Sequence, residues 1–250
     1  MEEGYGLIQA GEPKAPPISL LRVPHQSNAL VVAYPTFGPS TFKNNTAKMQ
    51  EPYSHPKTGE MITFRAPRTS ESISAVAYNF ETMAKPQIFD PRWLQVGYTR
   101  KIAEGIFFNV PRDTQGNPIT DEQALRSFLE NGKKTNGIYL LGNGFTYAPR
   151  ETFETGVQDG ETFARGGLSR AMEETPGLVA KNLQSIVSKK NYPKGVNVFG
   201  WDEDSALRVA SLGSDRDSDD WQLDVDGLDW DDYDGCAFGV LDVLKAPQKI

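Results

Sequence analysis

SDRDSDDWQLDVDGLDWDDYDG, residues 214–235, carries ten aspartates at positions 215, 217, 219, 220, 224, 226, 229, 231, 232 and 234 within a β-type alternation. Leu223 and Val225 alternate with Asp224 and Asp226, the period of two expected of a strand with one face toward a core and one toward water. After Gly227 the phase shifts. Leu228 and Trp230 become the inward pair and Asp229 and Asp231 the outer pair, as a bulge or tight turn would produce. The segment predicts a water-facing hairpin near the C-terminus. Like charges along such a strand also oppose edge-to-edge association.

The same spacing admits two further uses. Hard cations such as Ca²⁺ need several converging oxygen ligands, and Asp224, Asp226, Asp229 and Asp231 form the candidate set. The register is not that of an EF-hand: with Gly227 at the loop's glycine, the first and last ligand positions fall on Gln222 and Tyr233, where Asp and Glu are wanted. Docking to a basic partner is the other use. No resident cofactor is expected.

Outside this segment the chain is nearly neutral. Of the formal net charge of −7, residues 201–250 supply −10 and residues 1–200 supply +3. No extended basic face for duplex nucleic acid is therefore expected. The single cysteine, Cys236, excludes an intramolecular disulfide and a Cys-rich zinc site within one chain. MEEGYGLIQAGEPKAPP at the N-terminus lacks the basic flank and apolar core of a secretory signal, and no apolar run is long enough to span a membrane. These features predict a soluble protein of virion or cytoplasm with no membrane partner.

Working outward, the apolar runs Met61–Arg65, Ile73–Phe80, Trp93–Tyr98, Glu104–Val110, Asn136–Leu141, Val196–Trp201, Ala206–Leu212, Trp221–Val225 and Ala237–Leu244 read as strands, with Phe145–Tyr147 returning after Gly144. In Ile73–Phe80 neither face is cleanly apolar, which suggests a strand covered on both sides. Two helices are predicted. Thr120 with Gln123 makes a capping-box pattern before an apolar stripe of Ala124, Leu125, Phe128 and Leu129, and Asn131-Gly132 stops it. The second spans 176–188, with Thr175 as cap, Pro176 in the first turn and Val179, Leu183, Ile186 and Val187 on one face. The fold class is β-rich α+β, mainly antiparallel and sandwich- or barrel-like, with two or three helices.

Residues 1–60 carry eight of the 17 prolines and read as an extended Pro-rich arm or irregular layer preceding a single domain over 61–250. Within the arm, Ile18–Val23 and Ala29–Tyr34 read as strands, the second at an edge because Pro35 follows it.

Catalytic signatures are weak. His25 and His55 are the only histidines, both in the Pro-rich region, and no GxSxG elbow accompanies a serine. Cys236 opens an apolar run, as a buried small residue would. Gly142-Asn-Gly144 precedes Phe-Thr-Tyr rather than a helix and lacks a third glycine, so nucleotide binding is not supported. Trp201-Asp202-Glu203-Asp204 and Trp230-Asp231-Asp232 supply the residue types of a carboxylate-based glycoside hydrolase without its geometry. The leading expectation is a non-enzymatic structural component of a large assembly, with a viral particle foremost, in which the N-terminal arm contacts neighbouring homo- or hetero-oligomeric subunits. The alternative is a stand-alone β-rich module that uses the acidic segment to bind a divalent cation, a carbohydrate or a basic partner.

Overall fold

The computed structural model describes residues 18–80, 93–201, 207–214, 221–229 and 235–241. In chain order these form Ser19–His25 (β1), Asn28–Tyr34 (β2), Phe42–Met49 (α1), Tyr53–Ser54 (β3), Met61–Ile62 (β4), Phe64–Arg65 (β5) and Thr69–Asn79 (α2). There follow Trp93–Ile102 (β6), Gly105–Phe108 (β7), Glu122–Glu130 (α3), Lys133–Thr135 (β8), Ile138–Leu140 (β9), Thr146–Pro149 (β10), Gly156–Gln158 (β11), Gly160–Arg165 (α4), Gly167–Met172 (α5) and Lys181–Ile186 (α6). Val196–Phe199 (β12), Leu207–Gly213 (β13), Leu223–Asp229 (β14), Gly235–Cys236 (β15) and Val240–Leu241 (β16) complete the described chain. The fold is β-rich α+β with mostly antiparallel pairing, and three of the described helices are seven residues or longer.

The main sheet runs β11-β12-β14-β13-β6-β7-β10-β9-β8, with β15 added in parallel beside β6. Helices cover both of its faces. On one face Leu94, Phe108, Val198, Leu212, Leu223 and Val225 share a core with residues of α2, α4, α5 and α6. On the other, Tyr98, Ile102, Phe107, Tyr147 and Val209 pack with residues of α1 and α3. Alternation along β7 explains the division: Ile106 and Phe108 enter the first core and Phe107 the second.

One irregularity sets the phase of the sheet. In the β6–β13 ladder Ser211 pairs with Gln95 and Ala210 with Gly97, which leaves Val96 as an extra residue on β6. Leu94 and Val96 therefore face the first core while Tyr98 and Ile102 face the second. The predicted break at Gly227 is absent. Leu223–Asp229 runs unbroken, with Gly227 paired to Ala210, and lies inside the sheet between antiparallel β13 and parallel β12. Asp224 is half-buried and Asp226 is only 6% exposed, so they do not form the fully water-facing row that the alternation suggested. Interior placement covers a strand on both faces, which a period-2 reading with a solvent face does not anticipate.

The N-terminal segment also differs from an extended arm over the residues described. β1 and β2 form a hairpin, and β2 lies between β1 and β16, with Val32 paired to Val240 and Ala33 N–H donating to Gly239 O at 2.8 Å. The edge strand is β1, which carries Pro24; Pro35 lies beyond the last paired residue of β2 and removes no ladder donor. Val23 and Val32 join the first core. Residues 1–17 lie outside the described residues.

Ile73–Phe80 is not a strand. Ile73–Asn79 belongs to α2, which is buried over most of its surface and which Phe80 caps, and a largely apolar run has the same appearance in a buried helix and a buried strand. The first predicted helix holds, but Asp121 rather than Thr120 caps it, its side chain accepting from Ala124 N at 2.7 Å. The second shortens to Lys181–Ile186. Pro176 does not open it. Helices α4 and α5 fall in a segment for which no element is predicted; the Asp159 carboxylate caps α4 by accepting from Glu161 N and Thr162 N.

Candidate functional site

A polar cleft of about 620 Å³ opens between the tip of the β1–β2 hairpin, the middle of α2 and the α5–α6 connection. Among its lining residues are His25, Ser74, Glu173, Glu174, Lys181 and Asn182. The volume lies in the range of small-molecule sites. The construction of the cleft begins at α2. The side chain of Asn109, at the end of β7, accepts from both Thr69 N and Thr69 Oγ1 at 2.8 Å, which satisfies a free donor at the first turn of the helix. Gly97 permits the approach, because a Cβ there would stand 2.9 Å from Thr69 Oγ1 and 3.0 Å from Asn109 Oδ1.

Glu71 completes the first turn of α2 by accepting from Arg68 N at 2.8 Å, and the Arg65 guanidinium grips it with two bonds of 2.7 and 2.6 Å. Burial alone would raise the Glu71 carboxyl; the bonds and charge of Arg65 instead hold it below its ordinary value. Glu71→Ala is expected to cost about 2 kcal/mol in urea denaturation at pH 7, less than a fully buried ion pair because Arg65 can rehydrate. An unchanged midpoint would show that the pair contributes nothing net.

Two adjacent acids close the other side. Glu173 ends α5 and accepts from Asn182 N and Leu183 N, each at 3.1 Å, so it caps α6 from outside the helix in place of the predicted cap, Thr175. Glu174 turns inward. Its Oε1 accepts from Ser70 Oγ at 2.6 Å and from Asn109 Nδ2 at 3.3 Å, while Arg68 Nη1 stands 3.9 Å from Oε2. Burial raises both carboxyls, Glu174 to about 7.

The third wall is a chain of polar groups crossing three elements. Asn182 Nδ2 donates to Ser74 Oγ at 3.2 Å, and Ser74 Oγ lies 2.9 Å from His25 Nδ1. Burial lowers the His25 imidazole below its ordinary value, which favours the neutral ring. Gln26, at the hairpin tip, and Glu174 both hold positive φ, 49° and 54°. Each stands where a turn requires it: Gln26 in the two-residue turn of the hairpin, and Glu174 as the left-handed residue that ends α5, where Thr175 N donates to Arg170 O at 3.0 Å.

None of this assembly was singled out from sequence. The sequence places His25 only within the Pro-rich region, and the hairpin turn brings it to Ser74, 49 residues away. The signal available was a histidine at the end of an apolar alternation before a polar dipeptide, which marks a hairpin but names no partner. The other histidine serves a turn: His55 Nδ1 accepts from Lys57 N and Thr58 N. Cys236 is buried beside Leu94.

Of the candidate cation ligands, Asp224 and Asp226 lie on one side of β14, and Asp229 alternates to the other, where it pairs with Arg208. Asp231 lies outside the described residues, as do Asp202, Glu203, Asp204, Trp230 and Asp232 of the carboxylate-hydrolase reading. Among the described residues no three His, Cys, Asp or Glu side chains converge as a metal site would require. No helix among them is long and apolar enough to cross a membrane. The fold and cleft describe an α+β protein with a polar, internally braced pocket. No family model, curated protein or solved structure matches the chain.

Proposed function

We propose that the chain is a binding protein that holds a small polar molecule in the cleft between the hairpin tip, α2 and α6. The observation that carries this reading is a cleft of about 620 Å³ lined by polar side chains from three elements, of which Glu173, Glu174, Ser74 and Asn182 are held in place by hydrogen bonds. Prearranged groups lose less entropy when a ligand arrives, so the cost of holding them falls on folding rather than on binding. Titration of a library of polar metabolites into ¹⁵N-labelled protein is expected to shift amide signals of Gln26, Ser27 and Asn182 together. A library that leaves all three unmoved would overturn the reading.

A role in a larger protein assembly is a second proposal. Its support is the edge strand β11, which exposes Val157, 68% accessible, beside an edge that no described strand pairs. Because β1 and β2 pair within the chain's own fold, the case for an arm held by neighbouring subunits rests on residues 1–17. Sedimentation velocity showing a monomer across the accessible concentration range would count against self-assembly.

A further inference from the structure

The hydrogen-bonding groups of the cleft are unevenly engaged. Both oxygens of Glu173 already accept backbone N–H groups of α6, and Glu174 Oε1 accepts from Ser70 and Asn109. Two donors differ. Among the described residues the Lys181 ammonium, on an exposed side chain, has no ion pair or hydrogen bond, although it lines the cleft. It also sits in the first turn of α6, where the helix dipole disfavours a cation.

The second donor follows from the polar chain. Ser74 Oγ receives the Asn182 amide proton, so its own hydroxyl proton has His25 Nδ1 as acceptor. An Nδ1 that accepts places the ring proton of the neutral imidazole on Nε2. Nε2 has no protein partner among the described residues, and His25 lines the cleft. The opposite arrangement, with Nδ1 donating, would leave the buried Ser74 proton without an acceptor.

Building on the binding reading above, we propose that the cleft takes an oxyanion, the carboxylate or phosphate group of a small molecule, received by His25 Nε2–H and the Lys181 ammonium. A charged acceptor makes the stronger class of hydrogen bond with these donors. The acids in the cleft oppose it by charge, and their protonation sets the pH dependence. Glu174 faces Arg68 and Ser70 of the α2 start, with Arg65 and Glu71 behind them, and Glu173 faces Lys181. Because burial raises Glu174 to about 7, its opposing charge diminishes toward pH 6, and an oxyanion binds more tightly at pH 6 than at pH 8.

The test is a titration of the full chain with succinate, inorganic phosphate and uncharged succinamide at pH 6 and pH 8, read by calorimetry and by the His25 ring signals. Succinate or phosphate, but not succinamide, is expected to bind. Lys181→Met, an exposed substitution that leaves the core intact, should weaken that binding by about tenfold, and Lys181→Arg should restore most of it. Whichever of the two anions binds identifies the group. Equal binding of succinamide, or anion binding unaffected by Lys181→Met, overturns the proposal. If library compounds without an anionic group occupy the cleft while succinate and phosphate do not, the oxyanion assignment falls and the binding reading stands; if nothing occupies it, both fall.

Discussion

Gly227→Val is expected to lower the stability of the fold by about 3 kcal/mol, the upper part of the range for overpacking a filled interior. A Cβ at Gly227 would stand 2.7 Å from Trp201 Cε2 and 2.9 Å from Gly200 O, both closer than packed atoms allow. Neither neighbour can yield easily. Trp201 is buried against Phe108, with ring centroids 6.4 Å apart, and its Nε1 donates to Thr99 Oγ1 at 3.2 Å. Gly200, at φ +80°, lets the Asp226 carboxylate and the Gly227 backbone come close. Thermal unfolding should shift downward by roughly 6–12 °C for a chain of this size. A shift under about 2 °C would mean that Trp201 moves aside freely, and that β14 is not clamped between its neighbours as described.

Glu174→Gln should have the opposite sign, with a gain that grows as pH rises from 4.5 to 7 and is fully present above it. The ordinary carboxyl value is 4.5, and burial raises it to about 7 in the folded chain. Between those values the folded state binds more protons than the unfolded state, so stability falls as pH rises from 4.5 through 7 and stays low above it. Glutamine keeps an acceptor for Ser70 Oγ and Asn109 Nδ2 without a charge to bury. The variant should therefore gain up to about 3 kcal/mol at pH 8 and almost nothing near pH 4.5, with a flatter dependence between them. Urea denaturation across that range reads the effect directly. Equal slopes for variant and parent would show that the carboxylate is hydrated or compensated by Arg68. The same substitution should also weaken the pH dependence of oxyanion binding, which separates its electrostatic role from any loss of folding.

Much of the strand content was legible in the sequence because alternation and turn residues act over a few positions. Ser19–His25, Asn28–Tyr34, Gly105–Phe108, Val196–Phe199 and Leu207–Gly213 coincide closely with apolar runs read along the chain. The helix over Glu122–Glu130 was equally visible, since its cap and stripe are local, and the one-residue change of cap from Thr120 to Asp121 alters nothing beyond the first bond. The acidic segment was misread in its meaning: aspartates alternating with apolar residues indicate a strand, but whether water or another layer covers the polar side depends on what lies across the sheet. For Asp226 the covering groups include Gly200 and Phe199, brought there by the parallel β12–β14 pairing.

The sequence by itself determined where most of the longer strands and the helix over Glu122–Glu130 form, how charge divides along the chain, and that no disulfide can staple it. These follow from interactions within a turn of helix or a few residues of strand. Only the tertiary structure decided that Ile73–Asn79 belongs to a helix, since burial over most of its surface erases the periodicity that separates helix from strand. It also decided the cleft: Asn182 reaches Ser74 across 108 residues and Ser74 reaches His25 across 49, distances over which no local preference acts and which strand order and helix packing close.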